Sequence, residues 1–143
     1  MAAISHGVSA HIDPVTIFLR TFVVALTMAT AAIHASLGGL LFAMNAAGYV
    51  VLAIAMTLPG LPARWRWLVR LSLMAFTAAT IAGWVAFGPR FGLAYLDKAI
   101  EFALVGVLLV EQVRSDGGPA GVYRRIRRLV RGFAAGGLVH GAR

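Results

Sequence analysis

The chain has 143 residues, 60% of them apolar and only 13% charged, with a mean hydropathy of +0.85. Soluble domains run near about 45–50% apolar and about 25% charged, so this composition excludes an ordinary soluble domain and a disordered chain alike. Cysteine is absent, which removes disulfides, thiol nucleophiles and zinc–thiolate sites. Thirteen Lys+Arg against five Asp+Glu give a net charge of +8. On so apolar a chain, that excess points to an anionic membrane surface rather than to nucleic acid.

Four segments are long and apolar enough to cross a hydrocarbon core roughly 30 Å thick. The first is expected over 14–36: Asp13 can cap the helix, and Pro14 suits its first position, where no backbone donor is needed. The second is expected over 39–58, ended by Pro59, Gly60 and Pro62. Gly38-Gly39 between them makes the tip of a tight helical hairpin. The third runs over 67–87, stopped by Gly88-Pro89, and the fourth over 93–113, followed by Asp116-Gly117-Gly118-Pro119. A cleaved signal peptide, with Ala29-Thr30-Ala31 as its small-residue site, is the weaker reading, because the preceding stretch is long and carries Asp13. The expected fold is therefore all-α: a transmembrane bundle of two helical hairpins over 1–118 and a basic tail over 119–143.

Orientation follows from the flanking positive charge. With the N-terminus inside, Arg20, Arg64, Arg66, Arg70, Arg114, Arg124, Arg125, Arg127, Arg128, Arg131 and Arg143 fall on the cytoplasmic side, leaving only Arg90 and Lys98 outside. This predicts a multi-pass protein of a cytoplasmic membrane with both termini cytoplasmic. In the tail, Val122, Ile126, Leu129, Val130 and Phe133 share one helical face. Arg124, Arg125, Arg127, Arg128 and Arg131 share the other, an amphipathic pattern suited to acidic headgroups. No motif for nucleic-acid binding is present. The last ten residues, rich in glycine and alanine, are expected to fray.

Small residues recur every four positions: Ala25 and Ala29; Gly39, Ala43 and Ala47; Ala75, Ala79 and Gly83; Ala99 and Ala103. They predict close helix contact, inside the bundle or in a homodimer.

Ionisable groups within a span cost about 2.5–3.5 kcal/mol each and so need a reason. The fourth segment carries Asp97, Lys98 and Glu101, then Glu111 and Gln112. Asp97, Glu101, Leu104, Leu108 and Glu111 form one stripe, expected to face the interior. At about 1.5 Å of rise per residue, Asp97, Lys98 and Glu101 lie level with His34 and Thr30 in the first segment and Asn45 in the second, with Tyr49 beneath. The predicted cluster is thus His34, Asn45, Tyr49, Asp97, Lys98 and Glu101 with Thr30. Carboxylates and an imidazole suit a proton relay, or a divalent metal on His34, Asp97 and Glu101. A register-fixing network without chemistry is the third possibility. No HExxH, GxSxG or phosphate-loop pattern occurs, and His6, His11 and His140 fall on the opposite side from His34. The cofactor is left undetermined.

The run IHASLGGLLFAMNAAGYVVLAIA (33–55), with YLDKAIEFALV (95–105), resembles small four-span bacterial membrane proteins of unassigned function. They share an Ile-His pair ending the first span, here Ile33-His34, an Asn in the second, here Asn45, and Lys and Glu in the fourth, here Lys98 and Glu101. The resemblance implies a fold and no activity. The leading functional expectation is a non-enzymatic accessory or binding subunit of a larger membrane assembly. The alternatives are a small proton-coupled carrier and a metal- or cofactor-binding protein.

Overall fold

The computed structural model describes residues 13–139, so Arg143, His6, His11 and His140 lie outside the described residues, as do the side chains of Leu129 and Phe133. Among the described residues there are five helices and no strand: α1 (Pro14–Leu37), α2 (Leu40–Thr57), α3 (Ala63–Phe87), α4 (Gly92–Ser115) and α5 (Pro119–Val139).

Asp13 caps α1 as its position requires, accepting a hydrogen bond from the Val15 amide at 3.2 Å, with Pro14 opening the helix. The α1–α2 turn is only Gly38-Gly39, both at positive φ (73° and 83°), a conformation that side chains with a Cβ resist. α3 begins at Ala63 rather than Trp67, because the residues just after Pro62 include good helix formers. α5 continues to Val139 instead of fraying after Phe133, although Gly136 and Gly137 disfavour a helix.

α1 packs on α2, α2 on α3, α3 on α4 and α4 on α1, closing a ring, while α5 packs on α4. Three helices, Pro14–Leu37, Leu40–Thr57 and Arg64–Phe87, are long and apolar enough to cross a membrane. α4 is as long as α1, but Asp97, Lys98 and Glu101 lower its apolar character.

The surface is inverted relative to that of a soluble bundle. Leu41 is 69% exposed, Val51 63% and Phe102 60%, whereas Glu101 is fully buried. Among the described residues the buried set holds as many polar as apolar side chains. In water each such exposed side chain would forgo about 1.5–3 kcal/mol of burial. An apolar exterior around a polar interior, with three helices of spanning length, points to a multi-pass membrane protein.

The small-residue stripes correct the expectation of contact inside the bundle. Ala25, Gly39, Ala43, Ala47, Ala75, Ala79, Gly83, Ala99 and Ala103 are exposed, and Ala29 is half-buried. The charged face of α4 claims the interior, which turns Ala99 and Ala103 outward. Close approach is made elsewhere, by Ala31, Ala46, Ala53 and Ala94. It is tightest at Gly48, where a Cβ would lie 2.6 Å from Cζ of Phe76.

Candidate functional site

The inward stripe of α4 appears as the sequence pattern requires: Asp97, Glu101, Leu104, Leu108 and Glu111 are all buried. Glu101 ties the ring together. Its Oε1 accepts hydrogen bonds from the Tyr49 hydroxyl of α2 and the Thr80 hydroxyl of α3, each at 2.9 Å, and its Oε2 lies 2.5 Å from Nζ of Lys98. The Thr30 hydroxyl of α1 donates to Asp97 Oδ1 at 2.5 Å. All four ring helices therefore converge on two carboxylates one turn apart.

Lys98 closes the arrangement. Its ammonium bridges Asp97 Oδ2 at 2.9 Å and Glu101 Oε2, so its stem does fold back toward Glu101. His34 is buried, with Nδ1 2.9 Å from the Thr30 carbonyl. A carbonyl only accepts, so Nδ1 carries hydrogen, which leaves Nε2 facing Glu101 Oε1 at 3.9 Å. One ligand atom from each of His34, Asp97 and Glu101 lies within 4.8 Å of the others, a spacing a metal ion could use. The Lys98 ammonium already bridges the two carboxylates, so a dication would have to displace it.

Asp97 is 2% exposed, so its carboxylate is held inside the ring of helices. Asn45 is half-buried and joins the site differently from expectation. It makes no hydrogen bond to the cluster and instead lines a cavity of about 400 Å³ together with His34, Asp97 and Lys98. The other walls are mostly apolar and aromatic, with Phe42 from α2 and Phe76 and Trp84 from α3. The cavity reaches Leu37 and Leu41 at one helical tip and Phe87 to Phe91 at the other, so it lies at the end of the ring away from α5.

Two parts of the arrangement escape the sequence reading. Thr80 is one, since threonine in an apolar run carries little signal. The other is a second ionic cluster about 15 Å further along α4, ten residues at about 1.5 Å each. Here Glu111 Oε1 lies 2.8 Å from Arg70 and 3.3 Å from Arg20, and Arg70 is only 5% exposed. Counted for orientation alone, Arg70 looks like a flanking charge. Its spacing from Leu73, Thr77 and Thr80 places it on the buried face of α3 and could have revealed it. Four buried atoms at this end, Trp67 Nε1, Arg70 Nε, Glu111 Oε2 and Gln112 Oε1, make no hydrogen bond among the described residues. Their mix of donors and acceptors is what bridging water requires. Between the two clusters lies an apolar layer of Val23, Leu73, Leu104 and Leu108.

On α5, Arg124, Arg127, Arg128 and Arg131 are exposed. Arg125 is half-buried: it pairs with Asp116 at 2.7 Å and lies over the Trp67 ring, so it docks α5 onto the bundle.

Comparison with known protein families, curated proteins and solved structures finds no match to this chain.

Proposed function

We propose that the chain is a four-span membrane protein with both termini cytoplasmic, and that its α4 cluster and the adjoining cavity bind a small molecule reached from the outer leaflet. The observation that carries this reading is the open floor of the cavity. Asp97, Lys98, His34 and Asn45 face about 400 Å³ of space that packing leaves unfilled. The cluster itself is buried, with Glu101 0% and Asp97 2% exposed, so a ligand would meet it along the edge of this half-open space. Ionisable groups within a span mark function more often than not. As the fourth span, α4 would run about 36 Å, 24 residues at about 1.5 Å, with its charges paired inside the ring. α5 would lie on the cytoplasmic leaflet with Arg124, Arg127, Arg128 and Arg131 toward acidic headgroups and Arg125 fixing its root.

Charge arithmetic supports a proton-coupled role over passive storage. Two carboxylates, Asp97 and Glu101, face a single ammonium, Lys98. The groups facing these carboxylates are His34 of α1, Tyr49 of α2 and Lys98 of α4, while α3 contributes only the hydroxyl of Thr80. One proton balances the site when it is empty, and a ligand can exchange with it. A role as a binding subunit is also favoured by one observation: the outward small-residue faces leave flat surfaces for a second copy or a partner subunit.

Native mass spectrometry of the protein released from its own membranes tests the reading. Gly83→Leu is the control: a Cβ at Gly83 meets nothing within 4 Å and Gly83 lines the cavity, so leucine there fills the space without touching the cluster. A small-molecule adduct present in the wild type and absent from Gly83→Leu is expected. A stoichiometric protein partner with no adduct in either would replace the ligand-binding reading with the accessory-subunit one.

A further inference from the structure

We infer that the molecule held in the outer cavity is a monovalent organic cation with apolar or aromatic substituents. This inference rests on the ligand-binding reading above. It follows from two independent features of the site, its net charge and the nature of its walls.

The first feature is charge. Lys98 Nζ is 2.9 Å from Asp97 and 2.5 Å from Glu101, so both carboxylates share a single ammonium. Two carboxylates against one ammonium leave the group short of one positive charge, and an uncompensated charge away from water is costly. Asp97, 2% exposed, borders the cavity with its oxygens on Thr30 and Lys98. A neutral ligand gains nothing from that charge and cannot replace the balancing proton, and an anionic one would double it. A dication would overshoot balance and compete with an ammonium already in place.

The second feature is the wall. Phe42, Phe76 and Trp84 line the space, and an aromatic ring attracts a cation over its face with greatest gain where water is excluded. The Trp84 ring already takes part in one such contact, with the guanidinium of the exposed Arg90 4.0 Å from its centroid. The same rings reject a small, strongly hydrated ion such as sodium, because they cannot replace its water shell. A charge-diffuse cation bearing methyl or phenyl groups meets both conditions. The volume also suits it, since about 400 Å³ lies at the lower end of small-molecule sites.

The test uses purified full-length protein in uncharged phosphatidylcholine nanodiscs and isothermal titration with two probes of the same shape. These are benzyltrimethylammonium and its carbon isostere neopentylbenzene. The expected result is at least tenfold tighter binding of the cation. Asp97→Asn, which keeps an acceptor for Thr30 and leaves Glu101 in place, should bring the two probes to within about twofold of each other. Glu101→Gln should do the same, and circular dichroism and gel filtration of each variant exclude an unfolded protein. Gly83→Leu should abolish binding of both. Equal or tighter binding of neopentylbenzene to the wild type overturns the cation assignment and leaves the ligand-binding reading intact. Failure of both probes, together with no adduct on the protein from native membranes, overturns both. Binding of the cation undiminished in Gly83→Leu places it elsewhere and refutes the site.

Discussion

Replacing Tyr49 by phenylalanine removes a single oxygen from the centre of the ring. The aromatic ring stays packed, edge-on to Phe76 at 4.9 Å and beside His34 at 5.6 Å, so no cavity forms. What is lost is the hydrogen bond to Glu101 Oε1 that joins α2 to α4, together with the one to the Thr80 hydroxyl of α3 at 2.9 Å. Hydrogen bonds to charged groups contribute about 1.5–3 kcal/mol in soluble proteins, whereas interhelical ones in membranes average about 0.6 and reach about 1.7 kcal/mol. Thr80, also 2.9 Å from that oxygen, compensates in part. The expected loss is therefore about 1.5 kcal/mol, at the upper end of the membrane range. Glu101→Gln keeps an acceptor of the same shape but removes the charge. In that background Tyr49→Phe should cost only about 0.5 kcal/mol, the neutral value. The coupling of about 1 kcal/mol is read from a double-mutant cycle of reversible unfolding in mixed micelles titrated with a denaturing detergent. Losses that add to within about 0.3 kcal/mol would refute the claim that Glu101 is a charged tie between helices.

Three further outcomes follow from the packing. Gly48→Ala forces the Phe76 ring, 2.6 Å from the new Cβ, to move toward the cavity; benzyltrimethylammonium should then bind several-fold more weakly by titration, with helix content unchanged. Gly83→Leu meets open space and replaces a helical glycine, so the fold should gain roughly 0.5–1 kcal/mol in the same unfolding assay even as ligand binding is lost. At the other end, Arg70→Met leaves Glu111 with only the half-exposed Arg20 and should cost about 3 kcal/mol, because one partner of a buried pair is removed. Adding Glu111→Leu to it should recover part of that loss, and a double variant as unstable as the sum of the singles would contradict the pairing.

Much of the site was legible in the sequence, because in an apolar run a charge is conspicuous and must find a partner. The 97–101–104–108–111 spacing on α4 gave the inward face, and helix rise put His34 and Thr30 level with Glu101 and Tyr49 beneath; all three lie against it. The partners of Glu101 were harder to read. Asn45 stood at the right depth, yet its carboxamide turns to the cavity, and Tyr49 and Thr80 supply the hydrogen bonds instead. Depth along a helix is fixed by residue count, but direction around it depends on how neighbours pack. The small-residue stripes failed for the same reason. A four-residue repeat defines a face without saying which way it points, and the need to bury Asp97, Glu101 and Glu111 decided that. Arg70 was hidden by position: near a helix start, a buried ion-pair partner and a flanking charge look alike until Glu111 is seen 2.8 Å away.

The account depends most on α4 crossing the bilayer with its charges between the other helices. Because the chain has no cysteine, single cysteines report their side of the membrane without interference. Arg90→Cys before α4 and Ser115→Cys at its end are both at exposed positions. In intact cells a membrane-impermeant maleimide should label Arg90→Cys at once and Ser115→Cys only after permeabilisation. Labelling of both from outside, or of neither until the membrane is breached, would show that α4 does not cross.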